Sequence, residues 1–167
     1  MKRALPPSLR QRQRGASLIE VLVAFLLLSL GLLGMSALQI NALQNSHSSL
    51  QRSQATMLAH FMMDAMRANP AAARTGGYNL GVLGTPGPPA IPSVSVCVPP
   101  VDVSLPTHDQ RAWLEAMQGI LGQANTCGLI SCAAAAGGTQ CTVQVYWDDT
   151  RGTGGAAAQM IEIRSLL

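Results

Sequence analysis

From residue 16 the chain opens with apolar positions that are continuous rather than periodic: Ala16 to Ile40, 25 residues in which Glu20 is the one charged side chain. As a helix this block would extend about 37 Å, enough to cross a hydrocarbon core of about 30 Å with some tilt. Beyond it the pattern turns one-sided. Leu43, Leu50, Met57, Leu58, Phe61, Met62, Ala65 and Met66 recur at spacings of seven, four and three, with Gln44, Asn45, Ser48, Gln51, Arg52 and Gln54 between them. That is the period of one helix face. Asn69-Pro70 marks the stop, because the residue before a proline is pushed out of helical geometry. The pattern predicts one helix from about Ser17 to about Ala68.

All eight prolines beyond residue 15 lie between Pro70 and Pro106, interleaved with Gly76, Gly77, Gly81, Gly84 and Gly87. This composition excludes a long helix and reads as an irregular connection, with Ser93–Val98 alternating as a short or edge strand. A second helix is expected from Thr107 to about Leu121, with Thr107 and Gln110 at capping-box spacing and Trp113, Met117, Ile120 and Leu121 as its apolar face. Gly122–Gln140 reads as cysteine-bounded turns around the run Ala133–Ala136. Cys141–Trp147 and Met160–Arg164 alternate as half-buried strands, joined by a Gly- and Asp-rich turn over residues 148–157. The expected fold class is α+β: a long N-terminal helix, membrane-spanning and then amphipathic, packed against a small antiparallel β-sheet. Four segments follow: 1–15, 16–40, 41–69, and an α+β globular region over 70–167.

Charge changes how the first segment is read. The whole chain carries +3, yet Lys2, Arg3, Arg10, Arg12 and Arg14 supply five of its eleven basic residues and no acid precedes Glu20. Without residues 1–15, six basic side chains face eight acids, a net charge near −2. The basic character thus belongs to the leader. It fits retention on the cytoplasmic side of a membrane, with the rest of the chain outside, and leaves no basic footprint for nucleic acid. No charge falls between Glu20 and Arg52.

The four cysteines, Cys97, Cys127, Cys132 and Cys141, then lie on the exported side, where oxidation is favoured. Two disulfides are expected. Four cysteines allow three pairings; one bridge within the Cys127/Cys132/Cys141 cluster, with Cys97 taking the remaining member, is the preferred arrangement. Their spacing does not match the tight pairs of structural zinc, and no metal is expected. An ordinary secretory signal cut near Met35-Ser36-Ala37 is the rival account of the N-terminus, but the acid at the head of the apolar run argues against it.

The block Gly15-Ala16-Ser17-Leu18-Ile19-Glu20 closes the basic leader and puts a carboxylate inside a membrane-length segment, where a charge costs several kcal/mol unless paired. It resembles the class III signal of type IV prepilins, and Leu18-Ile19-Glu20-Val21-Leu22-Val23-Ala24 continues the match. The resemblance implies cleavage after Gly15 by a prepilin peptidase and N-methylation of Ala16, although Ala16 departs from the phenylalanine or methionine common at that position. Gly31-Leu32-Leu33-Gly34-Met35, Gln39, Gln44, Met62–Pro70, Asp109 with Trp113, and Val143-x-Val145-x-Trp147-Asp148 are similar to the PilV-type minor pilins, also called type IV pilus modification proteins. That likeness implies insertion in the inner membrane, N-terminus in the cytoplasm and globular region in the periplasm, followed by assembly into a pilus fibre or its tip. Implied partners are other minor pilins, the major pilin, the inner-membrane assembly platform and the prepilin peptidase. A minor pseudopilin of a type II secretion system would share the N-terminal signal. A signal-cleaved periplasmic binding or enzymatic domain is the alternative of another class.

Glu20 carries two readings. With Ser17 it has capping-box spacing, and an acid is favoured at a helix N-terminus. After cleavage, however, Ala16 bears an α-ammonium, and Glu20 of one subunit can neutralise Ala16 of its neighbour in a packed fibre. The assembly contact is the stronger reading. His60 and Asp64 stand four apart on the helix and read as a solvated stripe, while Trp113 and Trp147 read as core. No nucleophile elbow, phosphate-binding glycine loop or paired catalytic carboxylate motif appears. The chain is read as a non-enzyme without cofactor.

Overall fold

A computed structural model describes residues 17–84, 93–122, 124–152 and 157–167. The leader, Gly15 and Ala16 lie outside the described residues. Three helices and three strands follow in order: α1 (Leu18–Ala68), α2 (Pro70–Arg74), α3 (Leu105–Leu121), β1 (Cys127–Ala135), β2 (Gly138–Trp147) and β3 (Gln159–Leu166). The chain divides into two units, Met1–Ile40 and Asn41–Leu167. The α+β class expected from the sequence is the one found.

In the first unit α1 is apolar all round, and its large side chains, from Leu18 to Ile40, are exposed. It is the one described helix long and apolar enough to cross a membrane.

In the second unit the remainder of α1 buries Gln51, Ala55, Leu58, Ala59, Met62, Met63 and Met66. The expected stripe is therefore only partly right: Leu58, Met62 and Met66 point inward, but Leu43 (71% exposed), Leu50, Met57 and Phe61 (53%) do not. A strict seven-residue spacing drifts about 20° per repeat around a 3.6-residue helix. The buried face also uses small residues, Ala55 and Ala59, which let neighbouring elements approach the helix backbone. The helix ends at Ala68 as the Asn69-Pro70 signal requires. The chain then restarts as the single turn of α2 with Pro70 in its first turn, where the missing N–H has no helical partner to lose.

The strands form one antiparallel sheet in the order β1-β2-β3. Cys141–Trp147 and Met160–Arg164 fall within β2 and β3. The first strand is a correction: Gly122–Gln140, read as turns, contains β1, which pairs with β2 along its whole length from Cys127↔Tyr146 to Ala135↔Gly138. Gly, Cys and Ala have little β-propensity of their own, and pairing partners decide such positions. A two-residue connection, Ala136-Gly137, closes the hairpin, and Gly137 supplies the positive φ of 92° at the second turn position.

The other edge of β1 is covered as well. Leu80 exchanges both backbone hydrogen bonds with Ile130 at 2.8 and 2.9 Å, and Val96 both with Gly128 at 2.8 Å. The short strand expected over Ser93–Val98 thus appears as isolated bridges at Val94 and Val96.

Helix α3 begins two residues earlier than expected. Its N-cap is Ser104, not Thr107: the Ser104 hydroxyl accepts from the Thr107 N–H, and the Thr107 hydroxyl accepts from the Ser104 N–H at 2.8 Å. Gln110, assigned by the sequence pattern to a capping box, is instead buried. Of the expected apolar face Trp113, Met117 and Leu121 are buried and joined by Leu114, whereas Ile120 remains 42% exposed.

Trp113 sits at the centre of the packing. Its Nε1–H donates to the Leu58 carbonyl of α1 at 2.9 Å, and its ring lies over Gly128 of β1. A Cβ at residue 128 would run into ring atoms Cζ3 and Cη2. That contact requires glycine in the strand.

The cysteines form two bridges, Cys97–Cys127 and Cys132–Cys141. Cys132 and Cys141 face each other across β1 and β2. The Cys132 N–H donates to Asn79 Oδ1 at 2.7 Å rather than to β2, which marks the pair as a non-hydrogen-bonded site with close Cβ atoms. Cys97 is likewise placed beside Cys127 by the adjacent Val96↔Gly128 bridge. Replacing either pair by alanine should remove about 2–4 kcal/mol, seen as a lower urea midpoint. Loop closure makes Cys97–Cys127, separated by 30 residues, worth about 1 kcal/mol more than Cys132–Cys141, separated by 9.

Candidate functional site

Glu20 occupies the first turn of α1. Its backbone N–H donates to the Ser17 carbonyl at 3.0 Å, which closes that turn. Its side chain is exposed, and among the described residues the carboxylate has no partner. Around it stand exposed Leu18, Ile19, Val21, Leu22 and Val23. An acid in such a setting is stable while water reaches it, and in hydrocarbon it needs a counter-charge. The chain supplies none beyond Glu20 until Arg52. Gly15 and Ala16, the cleavage and methylation positions implied by resemblance, lie outside the described residues, so Glu20 is the part of this constellation with a described geometry.

The other candidates fall away from chemistry. Cys97, Cys127, Cys132 and Cys141 are all consumed in bridges. Asp64 is engaged by Arg67 at 2.8 Å, and Arg67 also reaches the Ser165 hydroxyl at 3.0 Å, so the His60/Asp64 spacing forms no pair. Trp113 and Trp147 are buried. Among the described residues no group of three or more His, Cys, Asp or Glu could hold a metal ion.

Polar contacts at the start of α3 fix that helix in place. Buried Tyr78 donates its hydroxyl to Asp109 at 2.6 Å, and burial, followed by the bond to that carboxylate, pushes its phenol up to about 12. His108 Nδ1 lies 2.8 Å from Asp102, and this hydrogen bond, then the charge of Asp102, raises the imidazole above its ordinary range. The sign follows from linkage: a raised folded-state value means a stabilising contribution that is complete below about pH 6.5 and is lost as pH rises through the elevated value. The Asp102→Asn variant should return the His108 titration, followed by its ring proton resonances, toward the ordinary range.

A second feature was not anticipated from the sequence. Where β2 ends, Trp147 and Asp149 meet Ser48, Ser49 and Arg52 of α1 and Gln159 of β3 around a cavity of about 240 Å³. The Ser48 hydroxyl donates to Asp149 Oδ2. Asp149 Oδ1 and Trp147 Nε1 are buried and have no hydrogen-bond partner among the described residues. The Trp147-Asp148-Asp149 run is the available signal, but alternation and composition assign it to the end of a strand and the start of a turn.

A long apolar N-terminal helix with an acid in its first turn, followed by a small three-stranded antiparallel sheet, is consistent with the type IV pilin fold. Residues 10–36 match the prokaryotic N-terminal methylation motif, a segment that contains Gly15, Ala16 and Glu20. Residues 37–80 match the Tt1218-like family, described as type IV pilin Tt1218. Comparison with curated proteins and with solved structures returns no match. The two matched segments are contiguous and, with the fold, support a type IV pilin, a family that is structural rather than catalytic, and the apolar N-terminal helix fits membrane anchoring.

Proposed function

We propose that the chain is a minor pilin of PilV type. In this reading a prepilin peptidase cuts after Gly15, Ala16 is N-methylated, and the helix over residues 16–40 holds the subunit in the inner membrane, N-terminus in the cytoplasm and globular region in the periplasm. From there the subunit enters a type IV pilus or its initiating tip complex, and influences adhesion, twitching motility or DNA uptake. Other minor pilins, the major pilin and the assembly platform of the inner membrane are its partners. The observation that carries this reading is the Glu20 carboxylate, which has no partner among the described residues and stands five residues after Gly15 on a helix whose apolar side chains are exposed. Both halves of that description need a neighbouring subunit. A packed bundle of such helices covers the apolar surface, and the Ala16 ammonium of the next copy, created by cleavage, neutralises the acid.

Intact-mass analysis of the protein from the host membrane tests the first step. The expected chain begins at Ala16 and is one methyl group heavier than the unmodified sequence. A chain beginning near Met35–Leu38 would overturn the proposal, since it would mean ordinary secretion. Co-purification with sheared fibres then tests the second step, and recovery with a secretion apparatus instead would overturn the pilus assignment.

A further inference from the structure

We propose that the open edge of β3 is a pairing surface for a second copy of this chain, joined antiparallel about a two-fold axis at Ile163. β3 is the last strand in the order β1-β2-β3, so one of its edges meets β2 and the other meets no strand among the described residues. The phase of the ladder fixes which groups face outward. Thr139 and Leu167 exchange both backbone hydrogen bonds, at 3.2 and 2.8 Å. Stepping back two residues at a time, Ser165, Ile163 and Ile161 bond to β2, while Arg164, Glu162 and Met160 turn their N–H and C=O groups away from it. Those outward groups have no partner among the described residues. Such an edge is a template for another strand, and proteins ordinarily blunt it with Pro, Lys, a bulge or a very short strand. β3 has none of these. Its eight residues, QMIEIRSL, pair with β2 without a break in register.

Charge and register together select the partner. The charges that flank the outward groups are one base and one acid, Arg164 and Glu162, with Arg164 Nε 2.6 Å from Glu162 Oε1. A second β3 can bond to this edge only where outward groups meet outward groups, so even-numbered positions must face even-numbered positions. Centred on Ile163, antiparallel pairing sets Glu162 opposite Arg164 of the second copy and Arg164 opposite its Glu162. The exposed Met160 then faces the exposed Leu166 of the second copy. A slip of two residues one way puts Glu162 opposite Glu162, and the other way Arg164 opposite Arg164. Parallel in-register pairing sets both like charges side by side. Opposite charges across strands stabilise a sheet and like charges destabilise it, so one register survives. The contact is isologous and closes on itself, giving a pair and not a filament. It uses a surface separate from the fibre contact at Glu20.

The test uses the full mature chain in detergent micelles, with association followed by sedimentation over a concentration series and amide hydrogen exchange read residue by residue. The parent chain should form pairs. Exchange at Met160, Glu162 and Arg164 should slow as concentration rises, while Ile161 and Ile163, bonded to β2, stay protected throughout. Glu162→Arg and Arg164→Glu should each weaken association roughly tenfold or more, since each turns two attractive cross-strand pairs repulsive. Mixing the two variants, or combining both substitutions in one chain, returns opposite charges to every pair and should restore association. Should Glu162→Arg fold poorly through loss of the bond from Gln144, Arg164→Glu and the exchange pattern of the parent chain carry the test. The proposal is overturned if the parent chain stays monomeric at every concentration, or if it associates without slowing exchange at those three amides. It is also overturned if the charge variants associate as tightly as the parent, which would place the contact on the apolar helix.

Discussion

The Glu20→Ala variant should be processed and inserted normally yet be missing from fibres. Removing a carboxylate from a spanning helix relieves a penalty of about 2.5–3.5 kcal/mol at its centre and less in its first turn, where Glu20 stands, so membrane insertion of the lone subunit can only improve. Assembly responds in the opposite direction. On the proposed contact, the neighbour's Ala16 ammonium would then be buried without its counter-charge, a loss of about 3–5 kcal/mol, or roughly a hundredfold to several thousandfold in the equilibrium for adding a subunit. Glu20→Gln, which keeps the size and removes the charge, should fail in the same way and so separates charge from shape. The measurement is the amount of the chain in sheared fibres relative to the membrane fraction. A capping role alone predicts a different outcome, because losing a cap costs only about 1 kcal/mol of a helix whose end can fray. Normal incorporation of either variant would sink the assembly contact.

Trp113→Ala should be the most destabilising single truncation in the globular unit. The side chain is fully buried, bonds α1 through Leu58 and covers Gly128 of β1, so it joins all three layers. Its loss should cost about 3–5 kcal/mol, a large share of the 5–15 kcal/mol by which such domains are stable. Trp113→Phe should retain most of the contact area and lose less. Gly128→Val probes the same contact from the strand side, where the added side chain has no space and an overpacking loss of about 1–3 kcal/mol is expected. Urea unfolding of the disulfide-intact chain reads all three. A Trp113→Ala midpoint within about 1 kcal/mol of the parent chain would show that the helix, not this side chain, organises the core.

Several elements were legible because their signals are local. The continuous apolar run and the Asn69-Pro70 stop set the extent of α1 to within a residue at each end, and alternation located β2 and β3. The resemblance to type IV prepilins was legible too, since Gly15–Glu20 is a short contiguous block within the matched N-terminal methylation motif and needs no tertiary context to be recognised. What failed depended on partners. The β1 sequence CGLISCAAA has weak strand propensity, and becomes a strand because β2 pairs with one edge while Leu80 and Val96 cover the other. The cap of α3 was misplaced by one turn because Ser104 and Thr107 both fit the pattern, and the two-way exchange between them selects Ser104.

The same division applies to the sites. Composition and order along the chain determined by themselves that residues 16–40 can span a membrane, that a carboxylate sits near the head of that span, and that a basic leader precedes it. These are properties of contiguous residues and survive in any conformation. Only the tertiary structure decided which face of α1 is buried, which cysteines meet, and that Ser48 and Asp149, 101 residues apart, close one side of a polar cavity. Each of those outcomes rests on contacts between distant residues. Their free energy is realised only when the sheet, α1 and α3 bury one another, and no local pattern along the chain encodes which distant partner will be met.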